Sequence, residues 1–84
     1  MENLIQQLRE HRIAVTPQRL AVMGALQSRR DHPTADHIYQ EVRRQMPAIS
    51  FNTVYKTLEI LCQKGMVKNL RGFYRAAIPT ASPP

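Results

Sequence analysis

The sequence predicts a mainly α-helical domain that ends in a small β-hairpin, the architecture of a winged helix-turn-helix. Three observations support this fold class. Four segments have apolar residues at helical spacing, three of them follow a serine or threonine suited to a helix N-terminus, and two short apolar segments near the end flank an Arg-Gly pair. The 84 residues suit one domain, predicted over residues 1–78, followed by a disordered proline-rich tail over residues 79–84.

The first two helices are predicted from apolar spacing and capping. Within residues 2–11 the residues at helical spacing are Leu4, Ile5 and Leu8. Thr16 is a favourable N-cap, and Pro17 suits the first turn because its missing N–H would have no helical partner there. We therefore expect a second helix over residues 17–28. Its predicted inward stripe is Leu20, Met23 and Leu26.

The third and fourth helices are separated by a proline and a short linker. Thr34 is a favourable N-cap for a helix over residues 35–46. The apolar face of that helix is predicted to be Ile38, Val42 and Met46. Pro47 ends it, since the residue before a proline disfavours helical backbone. Ser50 then caps a fourth helix, predicted over residues 51–64.

A glycine separates the last helix from the predicted hairpin. Gly65 is placed to end the fourth helix in a left-handed conformation with a Schellman motif. Beyond it, residues 66–70 and 73–78 form two short apolar segments around Arg71-Gly72. We expect these segments to pair as strands with the Arg-Gly pair as the turn.

Positive charge is concentrated in the second half of the sequence. Residues 1–42 contain five basic and five acidic residues, whereas residues 43–84 contain seven basic residues and one acidic residue. Clustered Lys and Arg favour phosphate-bearing partners, because binding releases the counterions condensed on nucleic acid. The distribution points to a nucleic acid partner, with an ordinary solvated face as the alternative.

Several classes of function are not expected. The single cysteine, Cys62, and the lack of a CxxC pair argue against an internal disulfide and a cysteine zinc site, so no metal or cofactor is predicted. No nucleophile, base and orienting residue occur at a recognisable spacing, which argues against an enzyme. Neither a secretory signal nor a membrane span is visible, so we expect a cytoplasmic protein without a membrane partner.

The fourth helix is the predicted recognition helix. In a winged helix-turn-helix this element lies in the major groove, where its N-terminal outward side chains reach base edges. Helical spacing gives an inner face of Val54, Leu58, Leu61 and Cys62. The outward residues are Asn52, Thr53, Tyr55, Lys56 and Glu59. Hydrogen-bonding and basic groups therefore lie at the positive end of the helix dipole.

Three stretches of the sequence carry a family resemblance. In chain order they are VTPQRLAVMGAL (15–26), DHPTADHIYQEV (31–42) and ISFNTVYKTLEILCQKGMV (49–67). They resemble the ferric uptake regulator (Fur) family of bacterial metal- and peroxide-responsive repressors. The resemblance implies a recognition helix that binds an AT-rich palindromic operator through Thr53-Val54-Tyr55 and Lys56. It further implies that Tyr55 packs on thymine methyl groups, the alternative being a partly buried tyrosine that stabilises the helix.

The resemblance also leads us to expect contacts with the DNA backbone. Cations that would fix the register on DNA without recognising bases are Arg19, Lys56, Lys68, Arg71 and Arg75. Ser50 is expected mainly to cap its helix, although the exposed helix N-terminus can donate N–H groups to a phosphate. Ala14 stands where many relatives insert Lys or Arg into the minor groove, so Arg12 is the candidate to reach that groove instead.

Other departures from the family concern metal sensing and capping. Family members usually have a second domain that dimerises and holds the metal, and this sequence ends where that domain would begin. A natural short form and an excised domain both stay open. His32 matches a family ligand position, but without the other ligands we expect a surface histidine. His37 stands where the family often has Glu or Asp, so we expect the capping-box partner of Thr34 to be lost.

Two classes of function follow. The first is sequence-specific binding of double-stranded DNA by a repressor domain, as a homodimer on DNA or with a full-length Fur-family partner. The second is an interaction module that binds and modulates a full-length regulator or another protein. The Thr53-Val54-Tyr55-Lys56 element favours the first class, whereas Ala14 and the missing second domain favour the second.

Overall fold

Four helices and a two-stranded hairpin make up the structure, a computed structural model that describes residues 2–28 and 32–77. The elements are α1 (Glu2–Glu10), α2 (Pro17–Gln27), α3 (Ala35–Arg43), α4 (Phe51–Gln63), β1 (Val67–Leu70) and β2 (Phe73–Ala76). Their order confirms the mainly α-helical winged helix-turn-helix predicted from the sequence. The predicted tail over residues 79–84 and the last residue of the predicted second strand lie outside the described residues.

The third helix ends earlier than predicted, at Arg43 instead of residue 46. Arg44 and Gln45 donate their backbone N–H groups to carbonyls three residues back, on Glu41 and Val42. Such bonds tighten the last turn, and Pro47 disfavours helical backbone at the residue before it. The other three helices each end one residue before the predicted position, and the second strand ends at Ala76.

The core lies around α2, which contacts α1, α3, α4 and β2. Its buried residues are Val22, Met23, Ala25 and Leu26. The predicted stripe was too narrow, because Val22 and Ala25 are also buried. Its predicted members do face inward: Met23 and Leu26 are buried, and Leu20 is partly buried and packs against the core. A helix that is covered on several sides buries more than the single stripe expected of a surface helix.

All three predicted N-caps form. The side-chain oxygens of Thr16, Thr34 and Ser50 each accept a hydrogen bond from the backbone N–H three residues later. The expected loss of the capping box in α3 is wrong. His37 Nδ1 accepts a hydrogen bond from the Thr34 backbone N–H at 3.3 Å, because an imidazole nitrogen can accept in place of a carboxylate.

The predicted Schellman ending of α4 is present and leads directly into the hairpin. Gly65 has φ 85°, and the Met66 N–H donates to the Leu61 carbonyl at 2.9 Å. The side chains of Leu61 and Met66 are both fully buried. The end of α4 is thus anchored in the core immediately before the first strand begins.

The hairpin is antiparallel, with Leu70 opposite Phe73 and a two-residue turn at Arg71-Gly72. Both turn residues have positive φ, 58° and 90°, as in a type I′ turn. The Tyr74 backbone N–H donates to the Pro33 carbonyl at 2.8 Å. This bond joins the hairpin to the segment that precedes α3, so the wing has a fixed position on the helical body.

Candidate nucleic-acid interface

The N-terminal part of α4 presents the side chains predicted to face outward. Its exposed residues include Asn52, Thr53, Tyr55, Lys56 and Glu59. Of the predicted inner face, Val54, Leu58 and Leu61 are fully buried, and Cys62 is partly buried. Because the buried side packs on α2, α3 and β1, the exposed side is held rigidly on the body. The start of the helix is fixed by Ser50, whose hydroxyl lies 2.9 Å from that of Thr53.

Tyr55 is 40% exposed and lies near the middle of this face. Its ring stacks on that of Phe51, with centroids 6.3 Å apart and an interplanar angle of 22°. The phenol ring is therefore supported on one side by the preceding turn of its own helix and open to solvent on the other. Tyr55 is therefore neither fully exposed to solvent nor part of the hydrophobic core.

An aromatic cluster formed by Tyr39, Phe51 and Tyr55 was missed from the sequence. Phe51 is 43% exposed and meets Tyr39 of α3 edge to face, with centroids 5.6 Å apart. The guanidinium carbon of Arg43 lies 5.5 Å from the Tyr39 ring centroid. The spacing of four between Phe51 and Tyr55 could have been found in the sequence, whereas the contact with α3 depends on the packing of two helices.

The two arginines predicted near the start of the domain have different surroundings. Arg12 is exposed and has φ 61°, and its backbone N–H donates to Arg9 as α1 ends. Arg19 is partly buried, and its Nη1 donates to the Ala14 carbonyl at 2.9 Å. This hydrogen bond holds the Arg19 side chain in place. Because a guanidinium carries five N–H donors, the others remain available for a further acceptor.

The wing carries the remaining predicted cations on its surface. Lys68, Arg71 and Arg75 are all exposed. Lys68 and Arg75 are directly opposite each other in the strand register. Like charges at such a position destabilise a hairpin, so this pair gains stability when an anion lies beside it.

The potential metal ligands within the described residues, 2–28 and 32–77, are His, Cys, Asp and Glu side chains. No three His, Cys, Asp or Glu residues come together there in a way that could hold a metal ion. His32 is exposed. No helix in the same ranges is long and apolar enough to cross a membrane.

Two weakly acidic groups, Cys62 of α4 and Tyr74 of β2, have raised pKa values. Burial raises the pKa of the Tyr74 phenol above its ordinary value, and the nearby Tyr55, Cys62 and Glu59 raise it further. Burial also raises the pKa of the Cys62 thiol, as does the charge of Glu59. Both groups thus favour their neutral forms in the folded protein.

We expect the domain to lose stability at alkaline pH. Because both folded-state pKa values are raised, the stabilisation is complete below the unfolded values and is lost as pH rises through the folded ones. For these groups the loss begins near their ordinary pKa values of 9.0 and 10.0. Urea unfolding between neutral and alkaline pH should show a smaller loss for Tyr74→Phe than for the unchanged protein. Equal losses in the two proteins would contradict this assignment.

The fold and this surface define a structural class, a winged helix with an exposed polar and aromatic face on its last helix and a cationic hairpin. The sequence profile of the Ferric uptake regulator family matches residues 10–74. The chain belongs to this family, which confirms the resemblance noted from the three sequence stretches.

Individual relatives agree with this assignment. The peroxide-responsive repressor PerR of Staphylococcus epidermidis is 43% identical over 70 residues, which cover 83% of this chain and 47% of that protein. PerR from Streptococcus pyogenes, with 32% identity, superposes with a TM-score of 0.78 over 89% of this chain and 55% of its own. A zinc-bound manganese uptake regulator, 24% identical, has a TM-score of 0.79 over 94% and 64% of the two chains and shows the shared fold. The chain spans about half the length of the curated relatives it matches.

Proposed function

We propose that this domain binds double-stranded DNA sequence-specifically as the DNA-binding part of a transcriptional repressor. In this proposal α4 lies in the major groove of an AT-rich palindromic operator. The observation that carries it is the position of Tyr55, open to solvent on the recognition face of a Fur-family winged helix. The relatives named above as repressors support a regulatory role rather than catalysis.

The recognition face has the chemistry needed to distinguish base pairs. The major groove admits an α-helix, and each base pair presents there its own pattern of donors, acceptors and methyl groups. Asn52 and Thr53 supply hydrogen-bonding groups, and Tyr55 supplies an apolar ring; all three are exposed on the N-terminal half of α4. Base recognition is therefore assigned to these three side chains.

Contacts with phosphate would come from both ends of the domain. The residues proposed for this role are Arg12, Arg19, Ser50, Lys56, Lys68 and Arg71, with Arg75 beside Lys68 on the wing. The unfavourable Lys68–Arg75 pairing supports this role, because a phosphate next to it removes the repulsion. Such contacts fix position and orientation and carry no sequence information.

A palindromic operator implies that two copies bind together. One small module buries only about 600–1,000 Å² of protein surface on DNA, so high affinity requires a second half-site. We propose that two copies assemble on DNA in the cytoplasm or that one copy pairs there with a full-length Fur-family protein.

An interaction module is the second candidate. Leu70 and Phe73 are each 45% exposed and lie opposite each other at the tip of the hairpin. An apolar tip suits contact with another protein, such as a full-length regulator. In that case the domain would modulate its partner, and its affinity for any duplex would be weak and governed by salt.

The test is fluorescence anisotropy with an AT-rich palindromic duplex and a shuffled duplex of the same composition, at low and moderate salt. A preference for the palindrome that survives added salt supports base recognition. Equal affinities that both collapse with salt would reject it and favour the interaction module, which pull-down with a full-length family member then tests directly.

A matched pair of charge variants tests which end of α4 faces the DNA. Lys56→Ala should weaken binding to the two duplexes about equally. It should also reduce the slope of log affinity against log salt concentration by about one. Lys64→Ala, which removes the same charge after the C-terminal end of the helix, should have a smaller effect. A larger effect of Lys64→Ala would contradict the proposed orientation of α4.

A further inference from the structure

Phe51 is a large apolar side chain whose exposure the fold does not explain. It is the first residue of α4, and 43% of its surface is accessible. It lies one helical turn before Tyr55, on the same side of the helix. The recognition face therefore carries two neighbouring aromatic rings.

The surroundings of Phe51 hold its ring in place before any partner binds. Tyr55 stacks against it, while Tyr39 contacts it edge to face from α3. Because the two neighbours belong to different helices, the ring is restrained from two directions. A side chain that is ordered in advance loses little conformational entropy when it makes a contact.

In the major groove the apolar group available to such a ring is the 5-methyl group of thymine. The centroids of Phe51 and Tyr55 are 6.3 Å apart, and successive bases along a strand are separated by about 3.4 Å. The two rings are therefore spaced to meet methyl groups about two base steps apart.

We propose that Phe51 is a further specificity-determining residue, which contacts a thymine methyl group about two base steps from the one contacted by Tyr55. This inference rests on the proposed function and adds a second thymine contact to it. The domain then prefers operators with two thymines at that spacing, and Tyr39 acts as the positioning residue that supports Phe51 from α3.

The test replaces each thymine of the palindromic duplex in turn, with its symmetry mate, by deoxyuridine, which removes only the methyl group. The unchanged protein should lose affinity about fourfold per half-site at each of two positions, the factor expected for one buried methyl group. Phe51→Ala should no longer respond to the methyl group at one position and still respond at the other. Tyr55→Ala should show the reverse pattern.

Further variants separate recognition from folding. Phe51→Gln keeps a good helix former and removes the ring, so its uracil profile should match that of Phe51→Ala. Phe73→Ala removes a phenylalanine of similar exposure from the wing and should leave the profile unchanged. Far-ultraviolet circular dichroism confirms that each variant is folded.

Three results would overturn the proposal. If Phe51→Ala and Phe51→Gln keep the full uracil profile, Phe51 does not contact a methyl group. If they lose the same position as Tyr55→Ala, Phe51 only supports Tyr55. If the unchanged protein has no preference for the palindrome, the proposed function itself fails, and the methyl contact fails with it.

Discussion

Replacing Tyr55 by alanine should lower the affinity for an AT-rich palindromic duplex about tenfold per half-site, which corresponds to about 1.4 kcal/mol. The ring is 40% exposed and supported by Phe51, so it can enter the groove without rearrangement. In the proposed complex, truncation would remove an apolar contact that forms only on the correct sequence. The affinity for a shuffled duplex should change little, since phosphate contacts dominate there.

Anisotropy titrations with both duplexes measure this difference. Tyr55→Phe is the matched control, because it retains the ring and should keep the preference for the palindrome. The helical circular dichroism and urea midpoint of Tyr55→Ala should stay close to those of the unchanged protein. A folded Tyr55→Ala protein with full preference for the palindrome would show that the tyrosine is not a base-contacting residue.

The largest effect on stability is expected for Leu58→Ala. Leu58 is fully buried on the inner face of α4, the face that packs on α2, α3 and β1. Removing a leucine side chain from such a site costs about 2–5 kcal/mol, whereas the total stability expected for a domain of this size is about 4–13 kcal/mol. The variant should therefore lose much of its stability, and DNA binding should fall with the folded fraction.

Urea denaturation followed by circular dichroism gives the change in unfolding free energy. Glu59→Ala is the control, since this neighbouring side chain is exposed and its loss should change stability by less than about 0.5 kcal/mol. Similar urea midpoints for the Leu58 and Glu59 variants would mean that the stability of the domain does not depend on the buried face of α4.

Much of the fold was predictable because its signals are local in sequence. The three caps and the glycine that ends α4 act on backbone groups within six residues, so the residue types alone indicate where the helices begin and end. The Arg-Gly pair likewise sits in a turn whose positive φ angles favour glycine. His37 is the exception, because the predicted loss of the capping box overlooked that a histidine nitrogen can accept a hydrogen bond.

The features that were missed depend on contacts between elements. The burial of Val22 and Ala25 follows from the central position of α2, which a single-helix pattern does not contain. The contact between Phe51 and Tyr39 requires α3 and α4 to cross at this point. For the site, outward positions on α4 followed from helical spacing, whereas the DNA contacts of these residues stay predictions.

Arg12 and Arg71 combine a left-handed backbone with a cationic side chain that is proposed to contact phosphate. They are the non-glycine residues with positive φ within residues 2–28 and 32–77, and each such position costs about 1–2 kcal/mol relative to ordinary backbone. Glycine or asparagine would relieve that strain but remove a cation. For a domain that binds DNA as proposed, a selection for heat resistance alone would favour the loss of these two cations, so an engineered thermostable form would also need screening for nucleic acid affinity.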